Sequence, residues 1–137
     1  VAGDDLKEQL ARLDRALKSR LDQAAAEAAK AVGRTGLEMW REVVRNSPVA
    51  TGRFRAGWNL GPQPSRAKPP AGLKSYPPPA EPRLSGRDLE LWLVNNVDYG
   101  PDLEASRGLL RSAVERQRRV FKTRLSQALN RANGGKR

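Results

Sequence analysis

Leucines at 6, 10, 13, 17 and 21 follow one another at spacings of four, three, four and four, with mostly polar side chains between them. That period places them in one stripe on a helix. Ala24, Ala25, Ala28 and Ala31 continue the stripe with side chains small enough for another backbone to come close, and Met39, Trp40, Val43 and Val44 end it heavily. The pattern predicts a helix over 4–46. Asp4 and Asp5 suit its positive end, and Pro48 stops it because proline cannot continue the ladder. Gly33 and Gly36 each weaken a helix by about 1 kcal/mol relative to Ala, so a bend or break is expected there.

After Pro48 the period changes. Thr51 is placed to cap a single turn over Gly52-Arg53-Phe54-Arg55, and Trp58-Asn59-Leu60 reads as extended. Residues 61–87 contain eight prolines, including Pro69-Pro70 and Pro77-Pro78-Pro79. Such a stretch favours polyproline-like backbone and excludes helix or central strand. We expect an exposed arm, anchored by Leu73, Tyr76 and Leu84, that orders against a partner. Residues 88–97 alternate, with Leu89, Leu91 and Leu93 on one side and Glu90, Trp92 and Val94 on the other, which predicts the best strand of the chain. A second helix is predicted over 107–131, with Leu110, Val114, Gln117, Phe121, Leu125 and Ala128 on its inner face. Arg111, Arg118, Arg119 and Lys122 lie on the side away from it. No internal repeat is present. The expected organisation is one domain over 1–132 and a basic tail over 133–137.

Composition sharpens this. The chain has 137 residues, one domain by length, and only 38% of them are hydrophobic. That small apolar share suits an extended shape or a surface covered by partners. There is no Cys and no His. Disulfides, thiolate sites, a His base and a His-ligated metal are therefore excluded. Ser47, Ser65 and Ser106 have no activating base nearby, and no Gly-rich phosphate loop occurs. We expect no enzyme, no cofactor, no metal and no small-molecule substrate. The longest apolar run is Leu91–Val94, so no membrane span and no signal peptide are expected. The start at Val1 implies an initiator Met removed or left out of the numbering.

The formal charge is +11 and is unevenly placed. Residues 1–46 carry +1, 47–86 carry +5, 87–106 carry −4 and 107–137 carry +9. Asp98, Asp102 and Glu104 could form a carboxylate or hard-metal site. An acidic edge meeting the basic Arg111, Arg118 and Lys122 of a neighbouring subunit is the better reading. Trp40, Phe54 and Trp58 are candidate apolar anchors of that contact.

The run Ser47-Pro48-Val49-Ala50-Thr51-Gly52-Arg53-Phe54-Arg55 resembles the Pro-Val-Asp-Thr-Gly-Arg-Leu-Arg signature of the tail-completion, or neck, proteins of long-tailed bacteriophages. Asn95-Asn96-Val97-Asp98-Tyr99-Gly100 with Leu103-Glu104 is similar to the family's last strand and its exit. Gly108-Leu109-Leu110-Arg111-Ser112-Ala113 is similar to the start of its C-terminal helix. Order and spacing agree from Leu6 to Leu129. Ala50 stands where the family has Asp, Gly100-Pro101 where it has Ala, and the proline-rich loop is longer.

The resemblance implies an α+β fold, with two helices packed on a small antiparallel sheet. It also implies a ring of identical subunits, most often six, that completes the tail and joins it to the head. The subunit would sit in the virion neck and in the host cytoplasm during assembly. Its partners would be other neck and tail proteins and, non-specifically, the DNA in the lumen, with no membrane. Arg53, Arg55 and Tyr99 join the interface candidates on this basis. The alternative is a small basic nucleic-acid-binding protein with a helical body. Its charge would give salt-sensitive, sequence-blind affinity, because no zinc-finger, basic-zipper or RNA-recognition motif is present.

Overall fold

The structure, a computed structural model, describes residues 2–48, 53–67, 78–85, 89–98 and 100–134. Among them run α1 (Ala2–Asn46), α2 (Arg53–Ala56), β1 (Trp58–Gly61), β2 (Trp92–Asn95), α3 (Gly100–Arg107) and α4 (Leu109–Ala132). The architecture is α+β: a long N-terminal helix and a C-terminal helix, with a small antiparallel sheet.

At 45 residues α1 is about 68 Å long, against about 36 Å for the 24 residues of α4. The two pack antiparallel. Glu27 pairs with Arg131, Glu38 with Arg124 and Glu42 with Arg116, so the start of α4 lies at the end of α1. Buried alanines line the pair, Ala29 and Ala31 on α1 and Ala113, Ala128 and Ala132 on α4. Their small side chains let the helices approach closely. Val114, expected on the inner face, is 42% exposed, while its neighbour Ala113 is fully buried. The rest of the expected face is turned inward: Ala128 is buried, and Leu110, Gln117, Phe121 and Leu125 are half-buried.

α1 does not break at its glycines. Its backbone is helical throughout, and both glycines are points of close approach. A Cβ on Gly33 would stand 2.5 Å from the Pro82 carbonyl oxygen, and one on Gly36 would collide with Leu91. The described part of the proline-rich segment therefore lies across α1 at Gly33 rather than standing away from it. Pro79, Pro82 and Leu84 are half-buried there. Leu73 and Tyr76 lie outside the described residues.

β1 and β2 pair antiparallel, with Trp58 opposite Asn95 and Gly61 opposite Trp92. β2 is shorter than the 88–97 expected. Its partner offers four residues before Pro62 and Pro64, which have no N–H for a ladder. The alternation holds: Leu93 packs toward the core and Trp92 is 43% exposed.

The helix expected over 107–131 is α4, which begins two residues later because a separate helix precedes it. Arg107 ends α3, and Gly108, at φ 60°, turns the chain into α4. That left-handed backbone favours glycine. α3 itself lies largely within the acidic stretch 87–106, where the apolar spacing predicts no helix. Pro101 near its first turn and Gly108 just past its end are the signals that mark it.

Candidate functional site

The core sits at one end of the helix pair. Trp40, Val43 and Val44 of α1 meet Phe54, Trp58, Val97 and Ala113, and Leu60, Leu93, Leu103, Leu109 and Leu110 close around them. Phe54 and Trp58 pack edge to face, with ring centroids 5.6 Å apart.

Polar contacts knit the two sides of this corner. Trp40 Nε1 donates to the Trp58 carbonyl at 3.1 Å, and Trp58 Nε1 donates to Ser47 Oγ at 2.8 Å. Ser47 Oγ donates back to the Val43 carbonyl. Arg55 donates to the carbonyls of Ser47 and Arg45, which closes the C-terminal end of α1. From the other strand, Asn95 Nδ2 donates to the Phe54 carbonyl at 2.7 Å, and Asn95 Oδ1 accepts from the Val97 N–H at 3.2 Å. A Cβ on Gly57 would fall 2.5 Å from that Asn95 oxygen. Segments about 40 residues apart in sequence are thus bonded into one unit around Phe54.

These contacts place the expected interface residues. Trp40, Phe54 and Trp58 are buried in the chain's own core, so they present little surface to a partner. Arg55 is turned inward onto backbone carbonyls. Arg53 opens α2, its side chain outside the described residues, as are Thr51 and Tyr99.

Among the acids, Asp98 and Asp102 are exposed. Glu104 is half-buried and bonded to backbone. Its two carboxylate oxygens accept from the N–H groups of Leu110 and Arg111, both at 3.0 Å. Gly108 has no side chain to cap α4, and Glu104 supplies the cap from the preceding helix, where a carboxylate also suits the helix dipole. Among the described residues no cluster of acids could hold a metal ion.

Arg111, Arg118 and Lys122 are exposed on α4. The arginines that sequence reasoning missed are Arg116, Arg124 and Arg131, which reach back to α1. Arg124 contacts Glu38 at 2.7 Å and donates to Thr35 Oγ1 at 3.2 Å. Arg116 donates to Glu42, whose side chain is buried. Arg131 holds the Glu27 carboxyl below its ordinary pKa, chiefly by its hydrogen bond. The signal lay in register: acids at 27, 38 and 42 on one helix run opposite to bases at 131, 124 and 116 on the other.

The apolar surface that stays open lies elsewhere. Leu6, Leu10, Leu13, Leu17 and Leu21 are 50–56% exposed. Every residue from Gly3 to Gln23 is exposed. Among the described residues no helix is long and apolar enough to cross a membrane. Comparisons with protein-family models, with curated proteins and with solved structures found no match to this chain.

Proposed function

We propose that this chain is a structural, non-enzymatic subunit of a tailed bacteriophage or prophage. In this reading it forms a ring of identical copies, six on the family resemblance, at the head–tail junction. The ring completes the tail, joins it to the head and lets DNA pass through its lumen. The observation that carries the reading is the corner around Phe54. Two of the segments that carry the family likeness, 47–55 and 95–100, are far apart in sequence, yet Asn95 bonds Phe54, and the position of Gly100 stands against the Phe54 ring.

Two further features support a subunit that is completed by neighbours. Its private core is one small cluster at the end of a helix pair. Its remaining large apolar side chains lie outside that core, on α1, on α4 and at Trp92. Exposed Arg111, Arg118 and Lys122 suit docking to acidic protein surfaces, and a lumen that must pass DNA should not hold phosphates tightly.

The same basic row favours a second reading, a nucleic-acid-binding protein. Electron microscopy of the purified full chain separates the two when paired with a DNA shift assay at two salt concentrations. Closed rings of fixed stoichiometry, and free heads and tails accumulating when the protein is omitted from particle assembly, are the expected results. A monomer or dimer that binds DNA with a steep salt dependence, together with normal joining in its absence, would replace the first reading by the second.

A further inference from the structure

Among the described residues nothing covers the N-terminal half of α1. Five leucines in one stripe, each about half-exposed, form a continuous apolar seam rather than the single scattered residues of an ordinary surface. From Leu6 to Leu17 the spacing of four, three and four is that of a coiled-coil seam. Leu21 continues it after one longer step, a local unwinding of such a seam. Two i,i+4 ion pairs, Arg12 with Glu8 and Lys18 with Asp14, support the helix locally.

We propose that this segment, residues 4–21, pairs antiparallel with the same segment of a second copy of the chain. Charge selects that occupant and that direction. Asp4, Asp5 and Glu8 against Lys7 make the first part acidic, with a net −2. Arg12, Arg15, Lys18 and Arg20 against Asp14 make the next part basic, with a net +3. Read backwards, the segment is its own complement. Setting Leu6 beside Leu17 of the second copy, and Leu10 beside its Leu13, brings each acidic end to a basic end. It also brings Lys7, which flanks the seam, to the Asp14 that flanks it in the second copy, and does so twice by symmetry. A parallel pair would instead gather four N-terminal aspartates at one end and align both helix dipoles. The antiparallel contact is two-fold and closes at two chains. It does not generate a ring, so its failure and the failure of the ring reading are separate results.

The absence of cysteine makes the test direct. Full-length Leu6→Cys and Leu17→Cys chains are prepared separately and oxidised, alone and mixed, with a short bis-thiol cross-linker as a second route. The expected result is a cross-linked dimer in the mixture and little in either chain alone. Full-length chain carrying Leu10→Asp and Leu17→Asp is compared with the parent by sedimentation. It should lose the pair, with dissociation at least 100-fold easier, while near-ultraviolet circular dichroism of the tryptophans in the distant core is unchanged. Efficient cross-linking of the Leu6→Cys chain to itself would show a parallel pair and overturn the proposal. So would the absence of any cross-link together with a mass that the aspartates do not alter.

Discussion

Glu104 shows how a side chain that reads as a surface charge can be consumed by the backbone. Its carboxylate satisfies two N–H groups at the start of α4, which Gly108 leaves uncapped. Substitution Glu104→Ala should cost about 0.5–2 kcal/mol, the usual value of a lost cap. Urea denaturation checks it, and Glu104→Gln, which keeps an acceptor oxygen, should recover part of the loss. A charge reversal at 104 would then weaken the fold itself, whereas reversal at exposed Asp102 acts on surface charge. Glu27 carries a second prediction at this scale. Arg131 lowers the pKa of its carboxyl on folding. A lowered folded pKa adds stability that is fully present above the unfolded value, ordinarily near 4.5, and is lost as pH falls through the folded value. The melting temperature of the parent should therefore exceed that of Glu27→Gln at neutral pH. The gap should close in acid, below the ordinary carboxyl range. A gap that stays constant with pH would mean that the Arg131 contact contributes nothing.

The elements were legible in the sequence where one period ruled them. The helix over 2–46, the short turn at 53–56 and the extended residues at 58–60 and 92–95 follow from apolar spacing and proline placement. Contacts between elements were not. Gly33 and Gly36 look like weak points of a helix when only local propensity is weighed. In three dimensions they are where Pro82 and Leu91 come down onto α1. α3 was hidden because its eight residues hold too few apolar positions to show a period. The corner was half legible: its motifs were visible, but Asn95 reaching the Phe54 carbonyl needs the fold. The buried aromatics had the composition of interface anchors, and only packing distinguishes an anchor from a core residue. The glycines make this testable. Gly33→Ala should gain about 1 kcal/mol of helix propensity and lose about 1–3 kcal/mol to overpacking against the Pro82 carbonyl. We expect no rise in melting temperature and faster proteolytic cutting within 78–85. A clear rise, with that segment still protected, would mean that it moves aside without cost and is not seated on α1.

At the scale of the molecule the chain has two regimes. From about Ala24 onward, α1 is braced by α4, the sheet and the segment at Pro82. Before that no described residue packs against it, and among the described residues its 21 exposed positions, 3–23, are held by their own ladder and two surface ion pairs. Exposed pairs give about 0–1 kcal/mol each, and most of a helix's stability in a protein comes from packing of its apolar face, which this part lacks, rather than from propensity. The projecting part should therefore open locally far more often than the body does. If its leucines are covered by a second copy, that opening must be suppressed by mass action, since pairing stabilises only the closed form. Amide hydrogen exchange at low and high protein concentration reads this directly. At low concentration residues 3–23 should exchange within seconds to minutes, while the stretch around Val43 and Val44 stays protected. At high concentration protection should rise within 3–23, most strongly from Leu6 to Leu17, and stay constant around Val43. Protection that is high in both regions at every concentration would mean that the projecting half is stable alone, and protection that is low at every concentration would mean that its leucine face is left open in solution.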